Sequence, residues 1–147
     1  MECQNPEICS AKHKRWKRNQ KKFIPIGEKE HEMFIKNFKK GEGELIYSDH
    51  CLKRCYERAI SRSDIDDVLE YGWVIERTQI GYMQDVYLTI LGYTMRKRPL
   101  HVVVFVDTSE EWTVVTTYTP RNDLAKWSND YQERICFCNK DEWMNWV

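Results

Sequence analysis

Between residues 73 and 119 the chain has four stretches rich in Val, Ile, Thr and aromatic residues, divided by short polar breaks. They are WVIER (73–77), DVYLTILGY (85–93), LHVVVFV (100–106) and WTVVTTYT (112–119). Such side chains pack well on a pleated surface, and the breaks carry turn chemistry in Gly81, MRKRP and DTSEE. Alternation puts Leu100, Val102, Val104 and Val106 on one face of the third stretch, with His101, Val103 and Phe105 on the other. In the fourth, Val114, Thr116 and Tyr118 alternate with Thr113, Val115, Thr117 and Thr119. Both faces hold apolar residues, so the sheet is expected to be covered on both sides.

Two helical patterns precede the strands. The first is capped by Ser48 or Asp49 and runs to about Ala59, with a core stripe predicted at Leu52, Cys55, Tyr56 and Ala59. The second is capped by Ser61 or Ser63, buries Ile65, Val68 and Leu69, and stops at Gly72. Helices followed by consecutive strands predict an α+β domain, with two N-terminal helices packed on a four-stranded antiparallel meander sheet. That domain is placed at residues 45–127, after a GEGE linker at 41–44. Residues 1–44 form a basic N-terminal extension, with a short helix expected in EKEHEMFIKNFKK, where Met33, Phe34, Ile35 and Phe38 make an apolar face. Pro25 and Gly27 punctuate the end of the basic run before it. Residues 128–147 are an aromatic, Cys-containing C-terminal extension, with helix expected around 122–133.

The length of 147 residues is that of about one domain. The charges balance at 23 each, yet residues 1–40 hold eleven Lys/Arg against five Asp/Glu, and the remainder is acidic. A basic arm of that kind either binds a polyanion or docks on the acidic body. With no apolar run of membrane length and no secretion signal, a cytoplasmic protein with no membrane partner is expected.

His50, Arg54 and Arg58 stand at four-residue spacing on the first helix, on the side opposite the predicted core stripe. A solvated polar face is one reading of this ridge. Two guanidinium forks beside an imidazole can also grip a phosphate or carboxylate and exchange a proton near neutral pH. The order of motifs over 47–127 resembles the bacterial and phage-associated domain-of-unknown-function family 4258: His50 with Arg54 and Arg58, then DIDDVLEYGWVIE, LGYTMRKRPLHVVVFVD and TVVTTYTP. The helices-then-meander order is similar at fold level to RelE- and colicin-type ribonuclease toxins.

That analogy implies a toxin-like, metal-independent endoribonuclease that drives a 2′-OH onto the adjacent phosphate and needs no catalytic cofactor. His50 would transfer the proton, Arg54 and Arg58 would stabilise the phosphate, and Thr116 and Tyr118 would position the substrate. Lys14, Arg15, Trp16, Lys17 and Arg18 would bind RNA, Trp16 by stacking on a base, and His101 would add a contact from its strand. The competing reading is a non-enzymatic binding module, a phage-type regulator or inhibitor, whose ridge holds RNA or an acidic protein partner. A toxin would have an antitoxin or a host target as its protein partner.

Cys3 and Cys9 lie near one end of the chain, and Cys136 and Cys138 near the other. Chain termini often meet, so these four thiols could surround a structural zinc ion, with His13 able to replace one. Unrelated free cysteines are the alternative. No Gly-rich phosphate loop, dinucleotide fingerprint or H-E-x-x-H motif occurs.

Overall fold

The computed structural model describes residues 3–123 and 125–145. Its order is α1 (Pro6–Lys39), β1 (Glu44–Tyr47), α2 (Asp49–Arg58), α3 (Arg62–Tyr71), β2 (Trp73–Ile80), β3 (Asp85–Tyr93), β4 (Pro99–Val106) and β5 (Glu111–Tyr118), then short 3-10 turns at Pro120–Asn122 and Glu142–Asn145. The class is α+β, as the pattern predicts, but three helices and a five-stranded mixed sheet replace two helices and four antiparallel strands. The sheet order is β1-β5-β4-β3-β2. β2 to β5 form the antiparallel meander, and β1 adds to β5 in parallel, pairing Leu45 with Trp112 and Tyr47 with Val114. β1 has only four residues, and its partner lies far along the chain, so no local pattern announces it.

The basic extension differs most from expectation. Instead of an irregular run and a short helix, α1 is one helix of 34 residues with Pro25 inside it. Proline removes a backbone donor and clashes with the preceding turn, costing about 3 kcal/mol in a helix interior. The continuous helix persists because both of its halves are anchored. In the first half the Gln20 side chain bonds the backbone N–H and C=O of Arg77; in the second, Phe34 stacks on Trp112 at 4.3 Å. Gly27 is not a break but a crossing point: a Cβ there would lie 2.9 Å from Leu88 Cδ2 and 3.2 Å from Val74 Cγ1. Phe34 is buried and Ile35 half-buried, whereas Met33 and Phe38 remain largely exposed.

Caps set the two shorter helices. Ser48 accepts from the Cys51 N–H, and Ser61 forms a capping box with Asp64. α2 ends with Ala59 in the left-handed region, φ 53°, where Arg98 donates to the carbonyls of Arg58 and Ala59. Its buried stripe is Cys51 and Cys55, rotated from the predicted one. Leu52 is 37% and Tyr56 91% exposed, because α2 leans its Cys51 side, not its largest side chains, into the core.

The sheet separates two unlike layers. On the helical face Phe34, Ile65, Val68, Leu88, Ile90, Val102 and Val104 form an apolar core. On the other face Val103 and Val115 pack with Trp143, and Ile75 and Leu91 pack with Trp127, so the C-terminal extension covers it. Residues 122–133 supply no α-helix among those described; Leu124 lies outside them. Instead, Asp123–Lys126 and Ser128–Tyr131 backbone bonds make turns, and Trp127 bridges to Arg134. No helix among the described residues is long and apolar enough to cross a membrane.

Candidate anion cleft and thiol centre

Two β-bulges aim polar side chains at the tail-covered face. Val103 pairs with Thr116 but Val104 with Val114, leaving Val115 as the extra residue on β5. Beyond it the alternation flips, so Thr116 and Tyr118 join the face of Val103 and His101 rather than that of Val114. In β2 the register shifts between Val74 and Glu76, which brings Glu76 opposite Thr89 on that same face.

β1 pairs β5 only as far as Val114, and α2 lies against the carbonyls beyond. Ser48 Oγ donates to Val115 O at 2.9 Å and Arg58 Nη1 to Thr117 O at 2.8 Å. These bonds satisfy an otherwise open sheet edge. They also turn Arg58 toward a cleft of about 240 Å³ lined by Arg58, Arg98, Thr116, Tyr118, Lys126 and Glu142, among others. Over it, Glu142 accepts from both arginines of α2: Oε1 from Arg54, and Oε2 from Arg58 at 3.5 Å. Arg54 also donates to Glu57 at 2.7 Å. The ridge is therefore no bare solvated face. Arg54 and Arg58 are half-buried under the tail and His50, one turn earlier, is exposed; of the three only Arg58 lines the cleft itself, Arg54 reaching it through Glu142.

His101 is not a substrate contact, because it is 0% exposed. Trp127 stands edge-on to its ring at 4.4 Å. Its Nε2 lies 2.8 Å from Tyr131 O and its Nδ1 3.3 Å from the Tyr118 hydroxyl. Only an N–H can meet the carbonyl, so Nδ1 accepts from Tyr118. Burial pushes its pKa down to about 3, with the nearby Arg134 adding to the same effect. Its role is to orient Tyr118, whose own pKa burial raises well above the usual value.

Lys14, Arg15, Lys17 and Arg18 are all exposed, with Lys12, Lys21 and Lys22 beside them. Trp16, predicted to stack on a base, instead docks on the sheet: its Nε1 donates to Glu76 Oε2 at 2.6 Å. A solvent-facing indole would forgo this buried partner. Lys17 pairs with Glu133 at 3.3 Å.

The sequence reading missed the network beneath. Arg134 Nε and Nη2 both donate to Glu76 at 3.0 Å, and Nη1 and Nη2 to Asp141 at 3.1 and 2.7 Å. Lys126 also pairs with Asp141. Burial would raise the Asp141 pKa, but Arg134 and Lys126 outweigh it and hold the carboxyl at about 2. Nothing in sequence spacing marks Glu76, a lone acid in an apolar strand, as partner of a tail arginine. Its place directly after the apolar run Trp73-Val74-Ile75 was the only signal.

The four predicted thiols do meet. Cys3, Cys9, Cys136 and Cys138 place their sulfurs within 4.8 Å of one another. Three of the separations are 3.7 Å (Cys3–Cys138), 3.6 Å (Cys9–Cys138) and 4.0 Å (Cys9–Cys136). A tetrahedral ion at the roughly 2.3 Å of a zinc–thiolate bond needs sulfur–sulfur edges of about 3.8 Å, so the donor set fits. The Phe137 N–H also donates to Cys9 Sγ at 3.2 Å, as thiolate ligands require of their surroundings. His13 is not a ligand here: Nδ1 lies 2.7 Å from Arg134 O and Nε2 3.6 Å from Glu133. Cys51 and Cys55 are separate, buried in the helical core with sulfurs 3.9 Å apart.

No curated protein and no solved structure matches the chain. Among protein-family models, residues 47–119 match the one described as Domain of unknown function (DUF4258).

Proposed function

Residues 47–119 belong to the DUF4258 family, and on this domain we propose a toxin-like, metal-independent endoribonuclease centred on the cleft between α2, β5 and the tail. One observation carries the reading. Arg54 and Arg58 converge on a single carboxylate beside Thr116 and Tyr118, so the pair already holds an oxyanion of the chain's own. A phosphodiester offers the same two-oxygen geometry to the two guanidinium groups. They would stabilise the charge that builds on the phosphoryl oxygens as the 2′-oxygen bonds to phosphorus and the P–O5′ bond breaks. The products would be a 2′,3′-cyclic phosphate and a 5′-hydroxyl that takes its proton from solvent. Tyr118, locked by His101, and Thr116 would fix the nucleotide. His50, on the turn of α2 before Arg54, would take the 2′-OH proton from the solvent side.

The exposed cations of α1 from Lys12 to Lys22 would carry the sequence-independent part of RNA affinity. The four cysteines would hold a structural zinc ion that ties the first turn of α1 to the tail. When bound, zinc supplies cross-linking and no step of cleavage.

The test is digestion of mixed cellular RNA by the purified protein in EDTA, beside His50→Ala, Arg54→Ala and Arg58→Lys. Removing one such electrostatic contact is expected to slow cleavage by about 10²–10³-fold. Arg58→Lys keeps a donor for Thr117 O, which separates chemistry from edge capping. A second reading, a binding module for RNA or an acidic protein, is favoured by the absence of His50 from the cleft lining. RNA retained but uncut by the wild-type chain would select it.

A further inference from the structure

Glu142 sits between two buried neighbours. Asp141 is locked to Arg134 and Lys126, and Trp143 packs against Tyr87 at 5.1 Å between ring centroids. These anchors hold the main chain on either side, so the segment cannot lift without opening a buried ion network and an aromatic core. The Glu142 side chain is 49% exposed and can leave by rotation about its own bonds. Where it rests, Arg54 and Arg58 face two carboxylates, Glu57 and Glu142, and local charge cancels. With Glu142 swung away, the same site carries an excess positive charge, while Thr116 and Tyr118 still line the cleft.

We propose that Glu142 is a displaceable occupant of the Arg54/Arg58 anion seat, a built-in carboxylate that an incoming phosphate group must replace. This rests on reading the seat as the phosphate site of the proposed nuclease, and it adds regulation to that site. The tail fixes the blocking group in register, and only a side chain moves when the seat opens. A half-exposed ion pair is weak, so a ligand that also gains contacts elsewhere, such as RNA on the α1 cations, can outcompete it, whereas a lone phosphate competes poorly.

Calorimetric titration of the full-length protein tests this, using inorganic phosphate and a 2′-O-methyl RNA tetranucleotide that cannot cleave itself. Glu142→Gln keeps the shape and removes the charge, and Glu142→Ser serves as a second variant if folding suffers. Both ligands are expected to bind about five- to tenfold tighter to Glu142→Gln than to wild type, the scale of one partly exposed ion pair. Adding Arg54→Ala should abolish the gain, and cleavage of unmodified RNA below saturation should rise. Unchanged affinity would overturn the proposal. So would tighter binding with cleavage lost, which would make Glu142 a catalytic group. If no form cuts RNA yet Glu142→Gln binds phosphate more tightly, the displaceable occupant stands and the nuclease reading falls.

Discussion

The two faces of the sheet are held by different physics. The helical face is an apolar core of Phe34, Ile65, Val68, Leu88, Ile90 and Val102, sealed by capped helices that the chain itself announces. The opposite face is covered by a tail without α-helix among its described residues, held by an ionic network, a thiol cluster and separate tryptophans. The first face is a scaffold that any apolar set of the right volume could replace. The cleft residues, the buried ion network and the four-thiol cluster lie on the second or at its rim, because buried charge and clustered thiols need specific partners while methyl groups do not.

The sharpest break in this contrast comes from Arg134→Ala. It leaves Glu76 and Asp141 buried without their shared cation and should cost about 3–5 kcal/mol in urea unfolding. Leu88→Ala, on the helical face, should cost about 3 kcal/mol through cavity formation. Phosphate affinity at the cleft should survive the second change and not the first, and titration of both variants checks this.

Metal removal sharpens the comparison next. The purified chain is expected to hold one zinc per molecule by elemental analysis. Cys136→Ser with Cys138→Ser should lose it and lower the Tm by about 5–10 °C, the equivalent of roughly 2–3 kcal/mol. Tryptophan fluorescence should report loosening around Trp127 and Trp143, while far-ultraviolet circular dichroism from the helices holds.

The smallest effect is acid sensitivity, which also belongs to the tail face. His101 titrates near 3 when folded against about 6.5 when unfolded, so between those values the unfolded chain binds the extra proton. Stability is therefore complete above about pH 6.5 and declines on acidification, by about 2 kcal/mol between pH 7 and 5. His101→Gln should flatten that slope in urea titrations at the two pH values. Asp141, held at about 2, adds its own loss only below roughly pH 4.

The helical face was largely legible in advance. Ser48 and Ser61 cap where their side-chain chemistry requires, Ile65, Val68 and Leu69 are buried at helical spacing, and β2 to β5 fall close to the β-branched runs. The thiol cluster was legible as residue types, and Arg54 and Arg58 as a pair. Trp16 and His101 were misjudged as substrate contacts. Both have partners that no local window contains, namely the buried Glu76 and the half-buried Tyr131. α1 was divided at Pro25 because proline's local penalty is visible in sequence, whereas the packing of Gln20, Gly27 and Phe34 that offsets it is not.

By itself, the sequence determined what short-range forces decide between residues 48 and 118: where α2 and α3 start, which stretches coil or extend, and that both sides of the sheet carry apolar residues. Tertiary structure alone decided the rest. It added β1 to the sheet, flipped Thr116, Tyr118 and Glu76 through two bulges, gathered four thiols from both ends, and set Glu142 on Arg54 and Arg58. The physical reason is that a propensity acts over a few residues. A bulge, an ion pair or a metal centre exists only when partners from distant parts of the chain arrive at the same place.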